Sequence, residues 1–193
     1  MQKLTTDDLL SLERYHKERP RMRAEVLEHK RYRQAPIGQN VTLYFEDRVT
    51  MRYQVQEMLR VERIFESEAI AEELEAYNPL IPDGTNLKAT MMLEYPDVAQ
   101  RRVALERLKG IEDRVYLEVG GQGRVFAHAD EDLDRSDETK TSAVHFLRFE
   151  LEPAMRNALK SGAPLKLGVD HEHYRHELAA SVETGQSLAA DLD

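Results

Sequence analysis

From Arg48 to Tyr77 the chain runs thirty residues without a glycine or a proline, and its apolar residues recur at helical spacing. Met51, Val55, Met58, Leu59, Phe65, Ala69 and Ile70 fall on one face of a 3.6-residue helix. The stretch therefore reads as one long helix that the rest of the chain must cover. Glu62 projects into the middle of that face, with Glu66 and Glu73 on or beside it. An ionised carboxylate taken out of water costs several kcal/mol unless it is paired and hydrogen-bonded. If the stripe is buried, Glu62 is buried with it, and a cation must answer it.

Residues 4–34 read as a helical N-terminal arm. Thr5 or Thr6 suits an N-cap, and Asp7 and Asp8 fall in the first turn, where the helix dipole favours them. Leu9, Leu10, Leu12 and Tyr15 form one apolar stripe, and Met22, Val26 and Leu27 another. Pro20 between them is expected to end one helix and start a second. Arg14, Lys17, Arg19, Arg21, Arg23, Lys30, Arg31 and Arg33 make the arm basic in a chain of net charge -9. Such a run serves either as a solvated face that pairs with acidic segments of the same molecule, or as a docking surface for an anion or an acidic partner. The first reading places Arg21, Arg23, Arg31 or Arg33 within about 4 Å of Glu62, Glu66 or Glu73.

The remaining pattern alternates short strands and short helices. Val41–Glu46 and Leu87–Tyr95 read as strands, the second apolar on both faces and so placed inside a sheet. Pro96 opens a helix that Gly110 stops. Val115, Leu117 and Val119 alternate into a hairpin at Gly120–Gly123. That turn joins two strands, so it lacks the helix N-terminus a phosphate loop requires. Residues 129–140 form an acidic loop of mobile composition, and 142–151 a long strand. Pro153–Lys160 reads as a helix and Pro164–Val169 as a strand. Asp170 is expected to cap a helix that begins His171–His176, and residues 183–193 to form a fraying tail. Together these predict a single α+β domain over residues 1–193. Its frame is a mainly antiparallel sheet of about five to six strands, with the long central helix and the N-terminal helices packed on it.

Composition narrows the chemistry. The chain has no cysteine, which excludes disulfides, thiolate metal sites and thiol nucleophiles. The acidic balance argues against nucleic acid as a partner. No apolar run approaches the roughly 18 residues that span a bilayer. The first ten residues lack the basic-then-apolar order of a signal peptide, so a cytoplasmic location is expected.

Four segments carry a family resemblance: Tyr53–Ile64, Glu73–Gly84, Leu87–Glu94 and Ser142–Leu151, in this order and spread over nearly the whole chain. The core of the pattern is Glu57, Met58, Arg60 and Glu62. They resemble a bacterial family known only as domain of unknown function 3501 (DUF3501). Where the family pattern has His-Pro after the last strand, this chain has His171-Glu172. The resemblance implies no established activity. Genes of such proteins often stand beside those of rubrerythrin-like and iron–sulfur oxidoreductase proteins, which implies a link to redox or oxidative-stress proteins.

Three functional readings stay open. The first is an accessory or protein-interaction protein, with a protein partner or a second copy of itself on its opposed basic and acidic surfaces. The second is a small metal-dependent enzyme or sensor. Glu62 and Glu66 lie four apart on a helix, and carboxylate pairs suit hard cations; His145 and His171 are the candidate nitrogen ligands. The third is an anion or small-ligand binding module, with Arg60, Glu57, Arg31 and Arg33 as the candidate binding residues. His145 has apolar neighbours on its own strand face, which also suits a hydrogen-bonded core histidine. Asp130, Asp132 and Asp134 match the opening of a calcium loop, but Arg135 stands where glycine is required and Thr141 where the bidentate glutamate belongs.

Overall fold

A computed structural model describes residues 2–137 and 139–193. Met1 and Glu138, the latter within the expected acidic loop, lie outside the described residues. Helices and strands intermix in an α+β arrangement, as their sequence patterns predict. The expectation of one sheet is corrected: among the described residues five antiparallel strands form one sheet and four form another. The first holds β1 (Gln34–Ile37), β2 (Val41–Glu46), β3 (Asn86–Leu93), β7 (Val144–Glu150) and β6 (His128–Ala129), in that spatial order. The second holds β5 (Arg124–Phe126), β4 (Val115–Val119), β8 (Leu165–His171) and β9 (Tyr174–Ala179).

The two sheets share one core. Alternation along β2, β3 and β7 sends Val41, Leu43, Phe45, Ala89, Met91, Leu147 and Phe149 inward. They pack with Val115, Leu117, Leu167 and Val169 of the second sheet. Tyr174 ties the sheets together: its hydroxyl donates to the Ile37 carbonyl at 2.6 Å and accepts from the backbone of Asn40 and Val41 at 3.0 and 3.2 Å. Gly38 turns the β1–β2 hairpin with φ +76, and a Cβ there would meet the Tyr174 oxygen at 2.6 Å. Two reasons, conformation and space, thus require glycine at this position.

His171–His176 is not a helix. Asp170 pairs with Arg175 and His171 with Tyr174, so Glu172 and His173 form a two-residue hairpin turn. The edge of β8 offers backbone partners that a solvated helix turn would lack, and Tyr174 is drawn into the core. The tail does not fray either. Helix α6 (Val182–Ala189) buries Leu188, and Leu192 and Asp191 are buried beyond it. Apolar burial there, at about 1.5–3 kcal/mol per fully buried leucine, outweighs the polar composition.

The outer face of the first sheet carries a helical layer. Helix α1 (Leu12–Lys30) runs straight through Pro20 as one element. It is held on both sides of the proline, by Tyr15 and Arg19 on Glu57 and by His29 on Asp47, which offsets the roughly 3 kcal/mol an interior proline costs. The thirty-residue helix is two helices: α2 (Arg48–Glu62), capped by Asp47, and α3 (Ser67–Tyr77). Arg63 breaks them with left-handed φ and ψ of 56 and 42. A continuous helix of this length would extend about 45 Å. That is nearly twice the length of the longest strand beneath it, at about 3.3 Å per residue. Folding back lets Ile70 and Leu74 join Met51, Val55, Leu59 and Ile81 in a second apolar cluster.

That break overturns the central expectation. Beyond Glu62 the helical phase is lost, so Phe65 is 70% exposed and Glu66 faces solvent; Glu62, the last residue of α2, is exposed at the open end of the helix. Arg21 and Arg31 pair along α1 with Glu18, Glu25 and Glu28, and Arg33 pairs with Asp191 and Asp47. Among the described residues no arginine answers Glu62, Glu66 or Glu73 with an ion pair. The bond between the helices is made one turn earlier, from Arg19 to Glu57.

Candidate functional site

Strand alternation sets up the site. On β3 and β7 the core-facing residues alternate with Lys88, Thr90, Phe146 and Arg148 on the outer face, and the register sets Lys88 opposite Arg148 and Thr90 opposite Phe146. Two cations side by side on a sheet destabilise it unless answered. The Lys88 ammonium donates to the Pro79 carbonyl. Arg148 holds Glu131 with two parallel bonds of 2.8 and 2.7 Å and Glu150 with one of 2.7 Å.

Helix α3 and the turn after it stand over this face and leave a cleft of about 560 Å³. Its walls are apolar: Met58, Ala76, Tyr77, Pro79, Leu80 and Phe146. Its rim is charged, with Lys88, Arg135 and Arg148 interleaved with Glu73, Glu131 and Asp132. The acidic loop forms one side of the rim. Arg135 grips Asp132 with bonds of 2.7 and 2.8 Å and lies 4.5 Å from the centre of the Phe146 ring. That guanidinium holds Asp132 down to about 2, and Arg148 likewise lowers Glu131. Burial pulls Lys88 below the usual lysine range. The cleft thus combines an apolar body site with two guanidinium forks, each occupied by a carboxylate of the loop.

Behind the rim a buried relay pins the loop. His145 meets Asp130 through Nδ1 at 2.5 Å and Thr141 through Nε2 at 2.8 Å. Thr141 donates to Glu112 at 2.9 Å, and Ser136 to the other Glu112 oxygen at 2.5 Å. The acid–histidine–hydroxyl order is that of a general-base relay. His145 and Thr141 are 0% and 1% exposed, however, so no substrate reaches them, and the relay works as a pin.

The candidate residues fall elsewhere. Glu57 and Arg60 do come together, at 3.3 Å, but Glu57 is also held by the Tyr15 hydroxyl at 2.6 Å and by Arg19 at 2.7 and 2.9 Å. They form a clasp between α1 and α2. Arg31 lies in solvent over the Tyr32 ring. Arg33 is 2% exposed and bonded to Asp191 and to the backbone of Phe45 and Glu46, so it faces no ligand. The metal set is dispersed. The helix break separates Glu62 from Glu66, His145 is inside the relay, and His171 bonds the Lys109 carbonyl at 3.1 Å. Among the described residues no three His, Asp or Glu side chains stand close enough to hold a metal ion. Lys88, Arg135, Phe146 and Arg148 were missed. The available signal was a charged residue at alternate positions of otherwise apolar strands, which only the pairing register turns into a site.

A family model described as "Protein of unknown function (DUF3501)" matches residues 3–192. A solved structure, described as that of a novel protein of unknown function from Burkholderia pseudomallei K96243, is 53% identical. The match covers 100% of both chains with a TM-score of 0.95. No curated protein matches the chain.

Proposed function

The chain belongs to the DUF3501 family, and from that premise we propose that it is a cytoplasmic accessory protein that binds a small carboxylate with an apolar body. The observation that carries this reading is the 560 Å³ cleft, where apolar walls meet the forks of Arg148 and Arg135. Cavities that hold small molecules typically measure about 300–1,000 Å³ and combine apolar lining with few polar groups. The paired bonds from Arg148 to Glu131 supply the head-group geometry: a ligand carboxylate would take the place of the loop carboxylate. Calorimetric titration with decanoate tests it. Saturable binding at one site, weakened about tenfold or more in Arg148→Met, supports the reading. Binding absent up to millimolar decanoate, or equal in the variant, removes it.

The bend between α2 and α3 favours a second, protein-facing role. Val61 and Phe65 are both exposed there, on either side of the break at Arg63, and a partner protein or a second copy would cover them. Light scattering of the wild type against Phe65→Ser tests self-association at this bend. A monomer at all concentrations, unchanged by the substitution, removes the second-copy form.

A further inference from the structure

A second groove shares no lining residue with the cleft. It is walled by the segment before α1 and by α1 itself, and floored by the first turns of α2. Its volume is about 370 Å³. Four guanidinium groups line it: Arg14 and Arg21 from α1, Arg48 and Arg52 from α2.

Their bonding is uneven. Arg21 is paired twice, since Glu18 takes its Nε and Nη2 and Glu25 its Nη1. The two acidic residues of the groove are thereby consumed. Arg48 gives Nη2 to Asp8, while its Nε is buried with no acceptor. Arg52 gives only its Nε, to the Asp8 carbonyl at 2.7 Å. The Arg14 guanidinium has no ion pair or hydrogen bond among the described residues. Arg48 and Arg52 are one turn apart on α2, a spacing at which like charges destabilise a helix. Among the described residues the Asp8 carboxylate answers Arg48 alone, and Arg52 meets only the backbone carbonyl of Asp8. The groove therefore holds more positive charge and more free donors than its own residues satisfy.

We propose that this groove is a binding site for a small phosphate-bearing molecule. Free donors reach it from two helices and from three side chains. A flat carboxylate fills one guanidinium fork, whereas the oxygens of a phosphate diverge and accept from several. Met22, Val26 and Tyr53 give the remainder of the ligand an apolar wall with one aromatic ring.

Calorimetric titration with inorganic pyrophosphate, in the full chain, tests the site. The expected result is saturable binding with one molecule per chain. Arg14→Glu and Arg52→Gln should each weaken it about tenfold or more. Arg14 is exposed, so its variant should melt as the wild type does and report binding alone. Arg148→Met, in the separate cleft, should bind pyrophosphate as the wild type does. Absence of saturable binding up to about 10 mM, or binding unchanged in both groove variants, overturns the proposal. A loss confined to Arg148→Met overturns it as well, because the anion then sits in the cleft.

Discussion

Arg33 donates to Asp191 across 158 residues of chain, and both side chains are almost sealed from water. The same guanidinium bonds the carbonyls of Phe45, Glu46 and Ser187 at 3.1–3.2 Å. One side chain thus fastens the C-terminal segment to the end of β2 and the cap of α2. Removing one member of such a pair leaves a buried charge uncompensated. Asp191→Ala should destabilise the protein by about 3–5 kcal/mol in denaturant titration. A loss under about 1 kcal/mol would mean that Asp47, 3.5 Å from Arg33, suffices as its counter-charge.

The same pair sets a pH dependence. Burial pushes the Asp191 carboxyl from 3.8 up to about 6, with Arg33 pulling the other way, Asp47 adding to the rise and His29 opposing it. The folded protein therefore holds this proton where the unfolded chain has released it. The contribution to stability is fully present below about pH 3.8 and is lost as pH rises through about 6, up to roughly 3 kcal/mol. In Asp191→Asn that slope should vanish. Equal slopes for the two proteins between pH 4 and 7 would exclude a raised Asp191.

Glu57 has the opposite sign. Arg19 chiefly, with Tyr15 and Arg60, holds it down to about 2. Its stabilisation is present above about pH 4.5 and disappears as pH falls toward 2. Glu57→Gln should cost about 1–2 kcal/mol at pH 7, allowing for partial solvent screening. The exposed Glu62→Gln should stay within about 0.5 kcal/mol. Thermal melts of the two variants side by side check the contrast, and a larger loss for Glu62 would contradict the position of the helix break.

Gly168 offers a steric test of the second sheet. A Cβ there would come within 2.4 Å of the Tyr116 ring, which is itself held by Glu177 at 2.9 Å. Gly168→Ala should cost about 1–3 kcal/mol by overpacking. Tyr116→Ala in the same background should recover part of that loss, and no recovery would place the clash elsewhere.

The sequence by itself determined most of the elements and their type. The Asp47 cap, the apolar run of β3, the Gly120–Gly123 hairpin and the glycine that follows the helix Val98–Arg107 are all local choices, set by backbone preference and by residues within one or two turns. It also carried the family resemblance, which the match over residues 3–192 bears out. What it left to the tertiary structure is where those elements bend and meet. No glycine or proline marks the break at Arg63. It exists because Ile70 and Leu74 gain more by folding back onto the α2 cluster than a straight helix could give them. Glu62 was placed in the core by a projection that assumes a continuous covered helix; as the last residue of α2, just before the left-handed Arg63, it lies in solvent. The cleft depends on register in the same way. Lys88 and Arg148 are 60 positions apart and become neighbours only through the pairing of β3 with β7, an interaction between segments that neither segment encodes locally.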